Sequence, residues 1–206
     1  RADARRRQAV SGRLAGNDER HARHHVEVMD RLAVELASAD EASAVQQCAD
    51  LLDQFDAAHE QFVETGDAQR SARLSLGMWE YAFMRQEFGR FHWLSDTLSI
   101  ESVADLDVHH EVLGAAAFAA WASNDLSESL RLAERAERAA LDASSPVPLS
   151  ALRARFNVAS YRSDPDEIIA PLMRLSAETE LRGDVHAGRA RAQRRVPVLR
   201  HHRRHR

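Results

Sequence analysis

The sequence predicts an all-α fold, a right-handed α-solenoid of stacked helical hairpins with about eight helices. Three observations carry that expectation. Ala, Leu, Arg and Glu dominate the composition, and all four are good helix formers, while eight Gly and five Pro leave little punctuation for an all-β fold. Apolar residues recur at helical spacing along the chain. A segment beginning Leu76-Gly77 is repeated from Leu113-Gly114, an offset of 37 residues, which is near the length of a helical-hairpin repeat.

The elements follow in order. Residues 1–16 are Arg-rich, contain Gly12 and Gly16, and read as a short helix or linker at the end of a preceding domain. Asn17 or Asp18 caps a first helix running to about Ser38, with Val26, Met29, Leu32, Ala33 and Leu36 on one face. Asp40 caps a second, whose apolar positions are Val45, Cys48, Leu52, Phe55, Ala58 and Phe62, and Gly66-Asp67 ends it and starts the third, 67–86. A fourth spans roughly 87–99, and a polar link from Glu101 to Asp107 leads to the fifth, 108–123. The centre of that helix, LGAAAFAAWA, is apolar all round and must be buried on more than one face. Asn124-Asp125 turns the chain into a sixth helix, with Leu126, Leu130, Ala133 and Leu141 expected on one face and Glu134–Arg138 as an i,i+4 pair on the other. SSPVP, 144–148, breaks the chain before a seventh helix, 149–161. Ser163-Asp164-Pro165 caps an eighth, running to about Leu181, in which Pro171 introduces a kink. A basic tail, 183–206, is expected to be disordered.

The repeat explains the aromatic residues. Six of the twelve lie between Trp79 and Trp93. When 76–98 is laid on 113–136, with a one-residue shift in the turn, Phe88 falls on Leu126 and Leu98 on Ala136, and 156–178 follows the same scheme. A single hairpin cannot bury both of its faces, so stacked units need large apolar residues where they meet. Trp79, Phe83, Phe88 and Trp93 fall at such seams, with Trp121 and Phe156 at related positions. Tyr81, Arg85, Arg90 and His92 lie off that stripe and are the candidate groove contacts.

The segment WASNDLSESLRLAERAERAAL resembles a degenerate tetratricopeptide unit. The order of segments adds to this. Glu19-Arg20-His21-Ala22-Arg23-His24 is similar to the motif that opens the helical array of actinobacterial STAND (NB-ARC-like) signalling ATPases. Phe55, Gly66-Asp67, Leu74, Trp79 and Trp93-Leu94 match the leader helix, tryptophan helix and following helix of the same array. The resemblance covers roughly 10–180 and implies a tetratricopeptide-like repeat domain over 17–182, in a cytoplasmic regulator linked to LuxR-type or cyclase output domains. It does not extend to catalysis. There is no GxxxxGK[ST] phosphate loop, and all 28 basic residues are Arg, so no Lys is present to serve one.

The remaining residues argue against an enzyme. His21 and His25 share a helix face at i,i+4 and are the best metal pair, but a polar helix face accounts for them better, and no metal or cofactor is expected. His109-His110-Glu111 is not an HExxH motif, and GxSxG is absent. Asp164, Asp166 and Glu167 sit at a helix N-terminus, where the dipole accounts for them. Cys48, the one cysteine, occupies an apolar position and is expected to be buried; a lone cysteine also forms no internal disulfide, as suits a reducing compartment. No apolar run approaches the roughly 20 residues that span a bilayer, so no membrane partner is expected. The chain begins at Arg1, which suggests a fragment or a processed product.

Charge is segregated. Residues 185–206 carry eight Arg and no acid, so against a net charge of −4 overall, residues 1–184 sum to −12. The expected role is a non-catalytic regulatory or scaffold region that binds a protein segment or small effector in its groove and serves an attached ATPase or output domain. The alternative is a nucleic-acid-binding protein acting through the tail, with Arg194, Arg195, Arg203 and Arg204 as its contacts.

Overall fold

The computed structural model describes residues 2–162, together with 168–169, 172–174 and 176–177. It is all-helical, with no strand among the described residues. In chain order the helices are α1 (Ala2–Leu36), α2 (Glu41–Asp50), α3 (Leu52–Thr65), α4 (Ala68–Arg85), α5 (His92–Leu98), α6 (His109–Ala122), α7 (Leu126–Asp142) and α8 (Leu149–Arg162). Two 3-10 segments, Phe88–Phe91 and Glu101–Asp105, flank α5. Of the eighth predicted helix, 168–169, 172–174 and 176–177 are described and helical, whereas Asp164, Asp166 and Glu167, and the basic tail with Arg194, Arg195, Arg203 and Arg204, lie outside the described residues.

Local chemistry sets several boundaries where the sequence predicts them. Gly66 adopts the left-handed conformation, φ 71°, that only glycine enters without strain, and its N–H closes the last turn of α3 on the carbonyls of Phe62 and Val63. Asp67 then caps α4, its carboxylate accepting from the Arg70 N–H at 3.1 Å. The same device recurs at the α6–α7 turn, where Asn124 has φ 64° and the Asp125 carboxylate accepts from the Glu128 N–H at 3.0 Å.

Three boundaries differ from the expectation. Helix α1 runs unbroken through Gly12 and Gly16, because isolated glycines cost a helix only about 1 kcal/mol each among strong helix formers. The second predicted helix is broken at Leu51 (φ −108°, ψ 5°) into α2, which packs on α1, and α3, which packs on both α1 and α4. The fourth becomes a 3-10 segment followed by the seven residues of α5.

Helix α4 divides the core. Its Leu74, Met78 and Tyr81 face a cluster built on α1, α2 and α3, with Met29, Leu32, Phe55 and Phe62 at its centre. Its Ala72, Trp79 and Ala82 face a second cluster shared with α5, α6, α7 and α8. From α4 onward, packing follows chain order. Helix α4 packs on α5 and α6, α6 on α5, α7 and α8, and α8 on α7. Helix α6 is buried without interruption from Val112 to Ala119, as its all-apolar sequence predicts. Phe118 is the aromatic centre of the second cluster, its ring 5.4 Å from Trp79, 5.1 Å from Phe83 and 5.0 Å from Trp121.

The exposed face of α7 is rotated from the expected one. Ser129, Leu132, Ala133, Ala136 and Ala140 are buried, whereas Leu141 is 77% exposed. The leucines suggest the wrong stripe because the surface α7 covers is made of small residues, and alanines fit it more closely than leucines. Arg138 correspondingly reaches the backbone carbonyl of Glu134, at 3.4 Å, in place of its carboxylate. Phe83, expected in a seam, is 37% exposed at the end of α4.

Candidate functional site

A trough runs along α7. On one side stands α7 itself, which presents Glu128, Arg131, Leu132, Arg135, Arg138 and Asp142, a stripe at helical spacing. Opposite are α5 and the 3-10 segment that follows it, contributing His92, Ser95, Leu98, Ala104 and Leu106. The floor comes from α6, through Ala116, Ala119, Ala120 and Ser123 at one end and His109, His110 and Leu113 at the other. The hollow consists of two parts, of about 600 and 460 Å³, both lined by Arg135.

Helix lengths account for this opening. At 1.5 Å per residue, the seven residues of α5 span about 10 Å and the seventeen of α7 about 25 Å, so α5 cannot cover its neighbour. The small side chains of α6 leave the floor low.

The trough is lined by charges of both signs, Arg131, Arg135 and Arg138 beside Asp107, Glu128 and Asp142. Arg131 binds Glu128 through two hydrogen bonds, one of 2.6 Å, which holds the Glu128 carboxyl below its usual range. Arg135, half-buried, makes no ion pair among the described residues; the pKa of His109 is lowered by burial first and then by Arg135. Arg138 is exposed. The walls between these charges, Phe91, Leu94, Leu98 and Leu132, are apolar.

Of the expected groove contacts, His92 reaches the rim of the trough, its Nδ1 2.8 Å from the Gly89 carbonyl. Tyr81 does not: it is 1% exposed in the first core cluster, where its hydroxyl donates to Glu87 at 3.2 Å. Its ring fills the space between α4 and the α1–α3 layer, so it is a packing residue. Arg85 is exposed in the last turn of α4, outside the trough. Arg90 serves as a clamp, donating to both oxygens of Asp56 at 2.6 and 2.7 Å and to Glu87 at 3.3 Å, which ties the segment before α5 to α3. Arg131 and Arg135 were not singled out by sequence reasoning; the signal available was the 131–135–138 spacing of arginines on one helix.

Other reactive side chains are engaged in structure. The Nδ1 of His25 lies 2.9 Å from the His21 carbonyl, and its buried ring meets Phe55 edge-on. Cys48 is fully buried, and burial, then Glu35, push its thiol up to about 12. His59 stacks on Trp93 at 4.5 Å with its Nε2 3.4 Å from the Thr97 hydroxyl, which also meets Ser71 at 2.7 Å and Ser75 at 2.9 Å. All four of these polar residues are at most 2% exposed, so they join α3, α4 and α5 beyond the reach of a substrate. Among the described residues no group of three His, Cys, Asp or Glu is placed to hold a metal ion, and no helix is long and apolar enough to cross a membrane.

No family model, curated protein or solved structure matches the chain.

Proposed function

We propose that this chain is a non-catalytic helical-repeat region of a larger cytoplasmic signalling ATPase or transcriptional regulator. In this reading α4–α5 and α6–α7 are successive hairpins of a right-handed, tetratricopeptide-like solenoid and α8 opens the next. The packing of each hairpin on its neighbour in chain order supports it. The trough along α7 carries the functional part: it is a surface with apolar side chains at its base and charges of both signs at its rim, suited to holding a protein segment or small effector. Occupancy that differs between resting and active packings would shift the balance between them and so reach an attached output domain.

The test begins with the flanking coding sequence, where a phosphate-loop ATPase directly upstream of residue 1 is expected. In that full-length protein, Ala120→Trp, which fills the trough, should alter regulated ATP hydrolysis while leaving the helical circular-dichroism signal and melting temperature near wild type. Unchanged regulation with a filled trough, or no such ATPase, overturns the reading. The clustering of eight Arg in 185–206 supports a second reading, nucleic-acid binding through the tail. It requires salt-dependent DNA binding that disappears when 185–206 are deleted; equally negligible binding with and without the tail eliminates it.

A further inference from the structure

Away from the trough, aromatic side chains reach the surface at the ends of α4, α6 and α8. Phe83 and Trp121 stand at equivalent positions, three residues before the left-handed Gln86 (φ 58°) and Asn124 (φ 64°), and their carbonyls accept from the N–H groups of those residues at 3.4 and 2.9 Å. Tyr161 occupies the last turn of α8. Phe83 is 37% exposed, Trp121 half-buried and Tyr161 63% exposed. Their rings form one row, with Phe83 5.1 Å from Phe118, Phe118 5.0 Å from Trp121, and Trp121 6.5 Å from Tyr161. Contiguous aromatic surface of this kind marks an interaction site. The row leads into a hollow of about 470 Å³ between α4, α6 and α8, because Trp79, whose ring lies 5.7 Å from Phe83, lines that hollow. The charged lining there is unequal: the carboxylates of Glu80, Asp107 and Glu111 face one guanidinium, that of Arg153.

Aromatic faces beside an excess of carboxylate suit arginine, whose guanidinium both stacks on rings and pairs with carboxylates. The chain carries such a partner itself. Residues 185–206 hold eight Arg and no acid, against a net −12 for residues 1–184. Within them an apolar run, Val196 to Leu199, is flanked by Arg194, Arg195 and Arg200. The chain from Ala177 to Arg194 reaches up to about 56 Å when extended, more than twice the length of α8, about 21 Å.

We propose that residues 194–206 dock on the α4–α6–α8 face of their own chain. Arginines of the segment stack on Trp121 and Tyr161 and pair with Glu80, Asp107 and Glu111, while the run 196–199 covers Phe83. Docking occupies the same arginines that would neutralise phosphates, so the docked chain withholds its tail from nucleic acid. This contact is independent of the trough and of its assignment.

The test uses the full chain carrying Arg206→Cys, its added thiol labelled with a dansyl group while the buried Cys48 stays unlabelled in the native state. Energy transfer from tryptophan to dansyl reads the contact, since Trp121 lies on the face. Transfer should fall at least about twofold in about 1 M NaCl, which screens the charge pairs. It should fall by a similar factor, about twofold, in Arg203→Glu/Arg204→Glu, which leaves the folded body untouched, and in Tyr161→Ala, with the helical circular-dichroism signal unchanged. Transfer equal to wild type in both of these variants overturns the proposal. Transfer that rises with chain concentration overturns it too, because the segment then docks on a second copy.

Discussion

Trp79 shows how a single side chain joins two helices, α4 and α6. It is 8% exposed, and its ring meets both Phe83 on its own helix and Phe118 on α6. Trp79→Ala should cost about 3 to 5 kcal/mol of stability, the range for truncating a buried aromatic; a chemical-denaturation midpoint equal to wild type would refute the seam assignment. His59 gives a prediction of pH dependence. Burial pulls its pKa from 6.5 down to about 4, so between these values the unfolded chain binds the proton that the folded chain refuses. Stability is therefore complete above the unfolded value and falls as pH drops from 6.5 towards 4, by on the order of 3 kcal/mol for this residue. His25 and His109, lowered chiefly by burial, act in the same direction. In urea titrations across this window, His59→Gln should flatten the slope; an unaltered slope would assign the effect elsewhere. Cys48, with its thiolate suppressed by burial, should react with a thiol reagent at pH 8 only upon unfolding, and rapid modification of the native chain would contradict its place in the core.

Among the elements, the two glycines that align across the repeat both mark close approaches, but to different neighbours. A Cβ on Gly77 would lie 2.5 Å from Met29 Cγ in α1, and one on Gly114 would lie 2.7 Å from both Pro148 Cβ and Ser150 Oγ at the start of α8. Methionine is flexible and can partly yield, whereas the Pro148 ring cannot rotate away. Gly114→Ala is thus expected to destabilise by about 1 to 3 kcal/mol and to exceed Gly77→Ala, as compared by thermal unfolding. The reverse order would show that α8 shifts more readily than α1. Sequence periodicity located α7 but misphased it, since leucines outweigh alanines in any hydrophobic pattern while the surface beneath α7 selects for small volume. The break at Leu51 was hidden for a related reason: Cys48 and Phe55 stay seven residues apart, so the apolar pattern passes across it as if the helix were continuous.

For the whole molecule, α4 is the organising element because it contributes one face to each of two cores. The trough is a property of the assembly, arising from a short α5, a long α7 and a small-residue α6. None of these signals a site alone. His92, which falls off the aromatic stripe, lines the trough, whereas Tyr81 lies off that stripe yet faces the other core.

The sequence by itself determined the helical class, the turns at Gly66-Asp67 and Asn124-Asp125, and the burial of α6. Left-handed backbone, side-chain caps and an unbroken apolar run act within a few residues, so they can be read locally. Only the tertiary structure decided which face of α7 is buried, that Arg90 clamps Asp56, that Tyr81 is core, and that Arg135 lines an open trough. Those outcomes depend on the lengths and volumes of elements that meet from distant parts of the chain, and a pattern within one helix carries no information about the size of the helix it will face.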